Sequence, residues 1–206
     1  MYYYRGYNYR GFRTFSDIEI RHLIKSLLAI GAAFAIVQTQ GKLFSAHFIK
    51  VLLISLITVG VGFVLHELAH KIVAQRYGCW AEFRADERML VLTLILSFLG
   101  VVFAAPGAVF INGFIGRKEN GIISVAGPLA NIGLAVMFML ISLISPIVTL
   151  KTIAVMGASI NSWIALLNMI PLWNFDGAKV LKWNKVVYGA VVIGAILLFI
   201  TTSSLI

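Results

Sequence analysis

The chain is 206 residues long, 60% hydrophobic and only 12% charged, with a formal net charge of +9. Its mean hydropathy of +0.94 is more than a core of this size can hide from water, which excludes an ordinary soluble domain and a disordered tail. A single cysteine, Cys79, excludes a disulfide scaffold. What remains is an integral membrane protein, in which an excess of Lys and Arg first signals unequal loops on the two sides of the bilayer.

The opening MYYYRGYNYRGFRTFSDIEIRH alternates Tyr2, Tyr3, Tyr4, Tyr7 and Tyr9 with Arg5, Arg10 and Arg13. Aromatic and cationic side chains just before an apolar run belong in the headgroup zone, so residues 1–19 are expected to anchor at the interface rather than to bind nucleic acid. The first apolar run starts only near Ile20 and others follow, so a cleaved secretory signal is not expected. Five runs approach the length of a membrane-crossing helix: 20–37, 48–70, 124–144, 152–170 and 186–202. Uninterrupted helix is the expectation in lipid, where unpaired backbone groups are not tolerated. A sixth apolar region, 89–112, is broken by Pro106-Gly107 and either crosses once or enters and returns.

Charge counting separates those two paths. If 89–112 returns and the N-terminus is cytoplasmic, 14 Lys and Arg lie inside and 3 outside (Lys42, Lys50 and Lys151); if it crosses, the split is 10 to 7. The bias of positive charge toward the cytoplasm favours the first arrangement: five full spans and a hairpin, either re-entrant or lying at the surface.

The chemistry starts at HELAH, residues 66–70. His66 and His70 are one helical turn apart and face one side, a spacing that lets two neutral imidazoles hold one Zn²⁺. Glu67 between them lies near enough to take a proton from a metal-bound water. The motif ends a long apolar run, where such polar groups are costly unless ligated or paired. Two histidines leave zinc short of a protein ligand, for which Glu82, Asp86, Glu87, Glu119, Asp176 and His47 are the candidates. His47 lies at the opposite end of the same predicted helix, more than about 20 Å away by helical rise. Glu82, Asp86 and Glu87 sit in a charged loop where solvation accounts for them. Asp176 stands in NMIPLWNFDG, after a helix that Pro171 should end, and the five-span arrangement puts it on the same side as the two histidines. Asn131, in GPLAN, would be buried near the start of a span and needs a partner there, as helix–helix glue or as support for the metal cluster. Asn161 reads as packing glue. Asn168 lies near Asp176, where its amide could donate to a carbonyl or a developing oxyanion.

HELAH at the end of one span, GPLAN at the start of another and N-x-x-P-x-x-x-x-DG after a third together resemble the site-2 protease family of intramembrane zinc metalloproteases, peptidase family M50. The likeness covers about residues 48–179. It implies one Zn²⁺ per chain held by His66, His70 and Asp176, Glu67 as the catalytic base, and Asn168 and Asn131 as site, substrate or supporting residues. Phe175 stands where family members often carry Leu or Met, a departure that bears on pocket shape more than on ligation. Family members often have membrane-associated strands between the first two motifs, the place that residues 79–121 occupy here. The expected fold is an all-α polytopic membrane protein of about five to six transmembrane helices, with a re-entrant or membrane-associated hairpin or strand region between the HExxH and GPLAN helices. The whole chain, 1–206, is expected to be one membrane-embedded domain with a catalytic core at about 48–180 and no room for a PDZ or cystathionine-synthase-type domain.

The expected activity is zinc-dependent hydrolysis of peptide bonds in or near the transmembrane helices of single-span membrane proteins, in the cell membrane near its cytoplasmic face. The lipid bilayer is the other expected partner, and nucleic acid is not one. Two other classes fit buried His, Glu and Asp in a helical membrane protein: a metal-ion or proton transporter, and a non-catalytic relative that binds a membrane partner. Ion flux without cleavage marks the first, and tolerance of a change at Glu67 marks the second.

Overall fold

The computed structural model describes residues 15–102, 106–172 and 174–205. The anchoring expected of residues 1–14 lies outside them. Five helical stretches are long and apolar enough to cross a membrane: Asp17–Gln38, Ala46–Arg76, Arg117–Ile144, Val148–Asn168 and Lys185–Ser203. Side-chain caps fix three of their starts. Ser16 accepts from the Glu19 amide at 3.1 Å and Ser45 from Phe48 at 3.1 Å, while Asn184 accepts from Val186 and Val187.

These stretches are α1 (Asp17–Gln38), α2 with α3 (Ala46–Ser55 and Val61–Arg76), α5 (Arg117–Ile144), α6 (Val148–Asn168) and α8 (Lys185–Ser203). The second is not the uninterrupted helix expected. A π-turn at Leu56–Gly60 joins α2 to α3. There Thr58 Oγ1 bonds back to the Ile54 carbonyl at 2.8 Å, and the Thr58 carbonyl faces the buried Asn161 amide at 3.4 Å. Such a one-residue insertion moves every later side chain around the helix axis.

The region between α3 and α5 turns back on itself. Strand β1 (Trp80–Ala85) runs into the short helix α4 (Glu87–Phe98), and strand β2 (Gly107–Asn112) returns antiparallel to β1, with Phe83 opposite Val109. Helix α4 has 12 residues, about 18 Å of rise, too little for a hydrocarbon core of about 30 Å. It ends earlier than Pro106 suggested. Gly100 takes a left-handed φ of 80°, its N–H donates to Ser97 and the Val101 N–H to Leu96, the bonding of a Schellman C-cap. Pro106 instead lies just before β2, its carbonyl accepting from the Asp86 N–H at 2.9 Å.

Helix α5 packs against α3, α6 and the short helix α7 (Asp176–Trp183), and α8 packs against α6 and also meets α5 and α7. The start of α1, the end of α3, the start of α5 and helix α7 meet at one end of the bundle, tied by Glu19–Lys71 and by Arg117 donating to the Lys182 carbonyl. The hairpin sits at that end. Phe83 is fully buried and its ring meets Phe63 edge-on at 5.6 Å, in a cluster with Leu23, Ile30 and Val59. Large apolar residues elsewhere face outward along the helices, among them Ile49, Leu53 and Ile57, as a lipid-facing surface requires.

A candidate metal centre

Two helices carry the candidate metal-ligating atoms. Helix α3 presents His66 and His70, whose Nε2 atoms stand 3.0 Å apart. Asp176 Oδ2, from the first residue of α7, lies 3.3 Å from His66 Nε2 and 3.1 Å from His70 Nε2. All three side chains are buried, and they are the one set of metal-capable residues among those described. Ligands placed tetrahedrally about 2.0–2.1 Å from Zn²⁺ stand about 3.3 Å from each other. A buried triangle with edges of 3.0–3.3 Å made of two imidazoles and a carboxylate therefore fits zinc, and leaves the fourth position for water.

Each imidazole is held from behind. Asn131 Oδ1 lies 2.6 Å from His66 Nδ1, while its amide nitrogen donates to the Gly62 carbonyl at 3.1 Å and to Asn161 Oδ1 at 3.0 Å. Those two acceptors fix which way the Asn131 amide points, so His66 must carry its proton on Nδ1 and present Nε2 as a lone pair. His70 Nδ1 donates to the Ile123 carbonyl at 2.8 Å, with the same result. Asn161, which Asn131 engages, donates to the Gly157 carbonyl at 2.9 Å. It is packing glue, as expected, and through Asn131 it also bears on the metal ligand.

GPLAN builds this support from one turn of α5. Pro128 withdraws an N–H from the helix and loosens the ladder beside the Ile123 carbonyl. Gly127 and Asn131 are four apart and share a face. A Cβ on Gly127 would lie 2.6 Å from His66 Nε2 and would also strike His70 Nε2. The absence of a side chain at Gly127 keeps open the space on which the three ligands converge.

Asp176 is delivered by the break after α6. The helix ends at Asn168, Pro171 keeps the chain from continuing it, and α7 starts after the extended Phe175, without a side-chain cap. Gly177 lets α7 sit directly on the backbone of Met169, since a Cβ there would collide with Met169. Burial opposes ionisation of Asp176, and positive charge at the site, on a protonated His70 or His66 or on a bound metal, holds its carboxyl well below the usual carboxylate range. Its other oxygen faces Lys179 at 3.6 Å.

Glu67 is buried beside the histidines, and the backbone amide of Val109 on β2 meets its carboxyl. A cavity of about 1080 Å³ opens in front of this group, lined also by Asn168, Lys179 and the β2 strand. Asn168 donates to the Ile164 carbonyl of its own helix at 3.0 Å. The other acids weighed as ligands lie apart from the group. Glu82 pairs with Arg84, Asp86 caps α4 and Glu87 pairs with Lys25 at 2.6 Å. Sequence reasoning missed the Ile123 carbonyl, which has no side-chain signal, and Lys179.

A protein of Methanocaldococcus jannaschii, named "Putative zinc metalloprotease MJ0611", is 44% identical to this chain over 180 residues, which is 86% of this chain and 90% of that protein. No family model matches the chain, and no solved structure matches it. Identity of that degree over nearly the whole of both chains means that the protein described here belongs to the same zinc metalloprotease family as its archaeal relative.

Proposed function

We propose that this protein is a zinc-dependent intramembrane endopeptidase, a compact member of the site-2 protease family (M50), cutting single-span membrane proteins in or near their transmembrane helices. The observation that carries the reading is the meeting of His66, His70 and Asp176 within 3.0–3.3 Å, with Glu67 alongside, at one end of a bundle of membrane-length helices. The whole chain acts as one membrane-embedded domain in the cell membrane. Its site lies near the cytoplasmic face, where the excess of Lys and Arg belongs.

Zinc bound by the three ligands would supply an acidified water and a polarised carbonyl. Glu67 takes the proton from the attacking water and returns it to the leaving amine. Asn131 and the Ile123 carbonyl keep the two imidazoles aimed as Nε2 ligands throughout. Asn168 turns its amide toward the oxygen that gains negative charge. Water reaches the group through the cavity that β2 borders.

A helical substrate has its carbonyls already bonded and must be drawn out before attack. The outer edge of β2, which no third strand covers among the described residues, offers it backbone partners beside Glu67, by strand addition. Helix-breaking residues near the cut therefore favour cleavage. The test is purified protein with a single-span substrate in vesicles, with and without chelator. Cleavage that chelator stops and zinc restores, and that Glu67→Gln abolishes while keeping zinc, supports the proposal. Cleavage by Glu67→Gln at the wild-type rate removes Glu67 as the base, and ion flux with no cleavage replaces the protease by a transporter.

A further inference from the structure

The hairpin has two outer edges: that of β1 is held by side chains of the bundle, and that of β2 borders the cavity. Phe83 and Ala85 of β1 lie opposite Val109 and Gly107. In an antiparallel ladder alternate residues turn their N–H and C=O away from the partner strand. On β1 those outward groups are taken up by side chains. The Phe83 N–H donates to Glu19 Oε1 at 3.0 Å and the Ala85 N–H to His22 Nδ1 at 3.2 Å. The Ala81 carbonyl accepts from Gln75 at 3.4 Å, and the Phe83 carbonyl from Arg84 at 3.1 Å. Side chains of α1 and α3 thus supply much of what a third strand would. On β2 the outward edge faces the cavity, with the Val109 amide at Glu67.

Glu19 joins this edge to the metal helix. It is fully buried, and its second carboxylate oxygen pairs with Lys71, the residue after His70, whose ammonium also lies 4.1 Å from the centre of the Phe15 ring. A buried ion pair of this kind adds little to stability over apolar residues of the same volume. What it fixes here is position. One carboxylate bonds both to a β1 amide and to the lysine beside a metal ligand.

We infer that Glu19, with His22, is a positioning residue: through the outer edge of β1 it sets where the open edge of β2 lies over Glu67 and the three metal ligands. Its effect on cleavage rests on the protease reading above; its effect on the strand does not.

The test uses the full chain in lipid nanodiscs and two double variants, because Glu19→Leu alone would strand the Lys71 charge and unfold the region. Glu19→Leu/Lys71→Met removes both charges and the acceptor. Glu19→Gln/Lys71→Met removes both charges and keeps an acceptor oxygen for Phe83. Amide exchange over residues 80–85 should speed up about tenfold or more in the Leu variant and stay near wild type in the Gln variant, with zinc content unchanged in both. On a single-span substrate, KM should rise about tenfold in the Leu variant with kcat little changed, and the Gln variant should restore it. Equal exchange in the two variants, or loss of zinc together with strand protection, overturns the inference. Absence of cleavage by the wild-type protein overturns the protease reading and leaves the exchange comparison to decide the role of Glu19.

Discussion

Asn131→Leu isolates the support behind the metal site. The side chain is fully buried, and Leu keeps its branched heavy-atom skeleton, although its two methyls are bulkier than the amide oxygen and nitrogen. What changes is hydrogen bonding. Asn131 Oδ1 is the partner of His66 Nδ1 at 2.6 Å, and its amide nitrogen reaches Asn161 Oδ1 at 3.0 Å and the Gly62 carbonyl at 3.1 Å. Leucine leaves the His66 N–H buried without an acceptor and frees the ring to turn or change tautomer. A stranded buried donor costs about 1–3 kcal/mol. Loss of the partner behind a metal-ligating histidine weakens metal binding by about 10–100-fold, which is about 1.4–2.8 kcal/mol, so the two routes agree. Competition with a chromophoric chelator at neutral pH reads the zinc affinity directly. A fall of about 10–100-fold is expected, while the helical circular dichroism stays at the wild-type level. A zinc affinity within about twofold of wild type would refute the reasoning that Asn131 sets the His66 tautomer.

Gly127→Ala places a Cβ 2.6 Å from His66 Nε2, and no flexible chain end is there to give way; zinc affinity should fall by about 10–100-fold in the same assay, and unchanged affinity would show that the ligands meet elsewhere. Gly177→Ala drives α7 off the Met169 backbone, whose Cα would lie 2.7 Å from the new Cβ, and should cost about 1–3 kcal/mol, read as a melting midpoint roughly 3–10 °C lower; an unshifted midpoint removes the close contact. A cysteine at Lys151, in a Cys79→Ser background, should react with an impermeant maleimide added outside intact cells; protection there, with reaction only after lysis, reverses the proposed orientation.

Much of this molecule is legible in its sequence because lipid allows few solutions. Each of the five expected runs lies within one of the observed membrane-length stretches or overruns its end by a residue or two, and the return of 89–112 follows from charge alone. His66 and His70 announce themselves by spacing, and Asp176 by the proline and glycine around it. The rest is hidden for identifiable reasons. Ile123 contributes a backbone carbonyl, which carries no residue signature. The end of α4 is set by Gly100, a quieter signal than the Pro106-Gly107 pair that drew the reading further on. The π-turn at Leu56–Gly60 carries no composition signal, and its Thr58 carbonyl meets the Asn161 amide from α6, a contact across more than 100 residues. Glu19 is disguised: Ser16-Asp17-Ile18-Glu19 has the spacing of a helix capping box, and its serine does cap α1, while the glutamate turns inward to β1 and Lys71 instead.

The central claim is that two imidazoles from one helix and one carboxylate from another share a single zinc ion. X-ray absorption at the zinc edge of the purified protein reads that shell directly. The account predicts one zinc per chain with two imidazole nitrogens and oxygen neighbours at about 2.0–2.2 Å, and a shell that loses an oxygen, or its metal, in Asp176→Asn. A sulfur neighbour at about 2.3 Å, or an identical spectrum from Asp176→Asn, would contradict it.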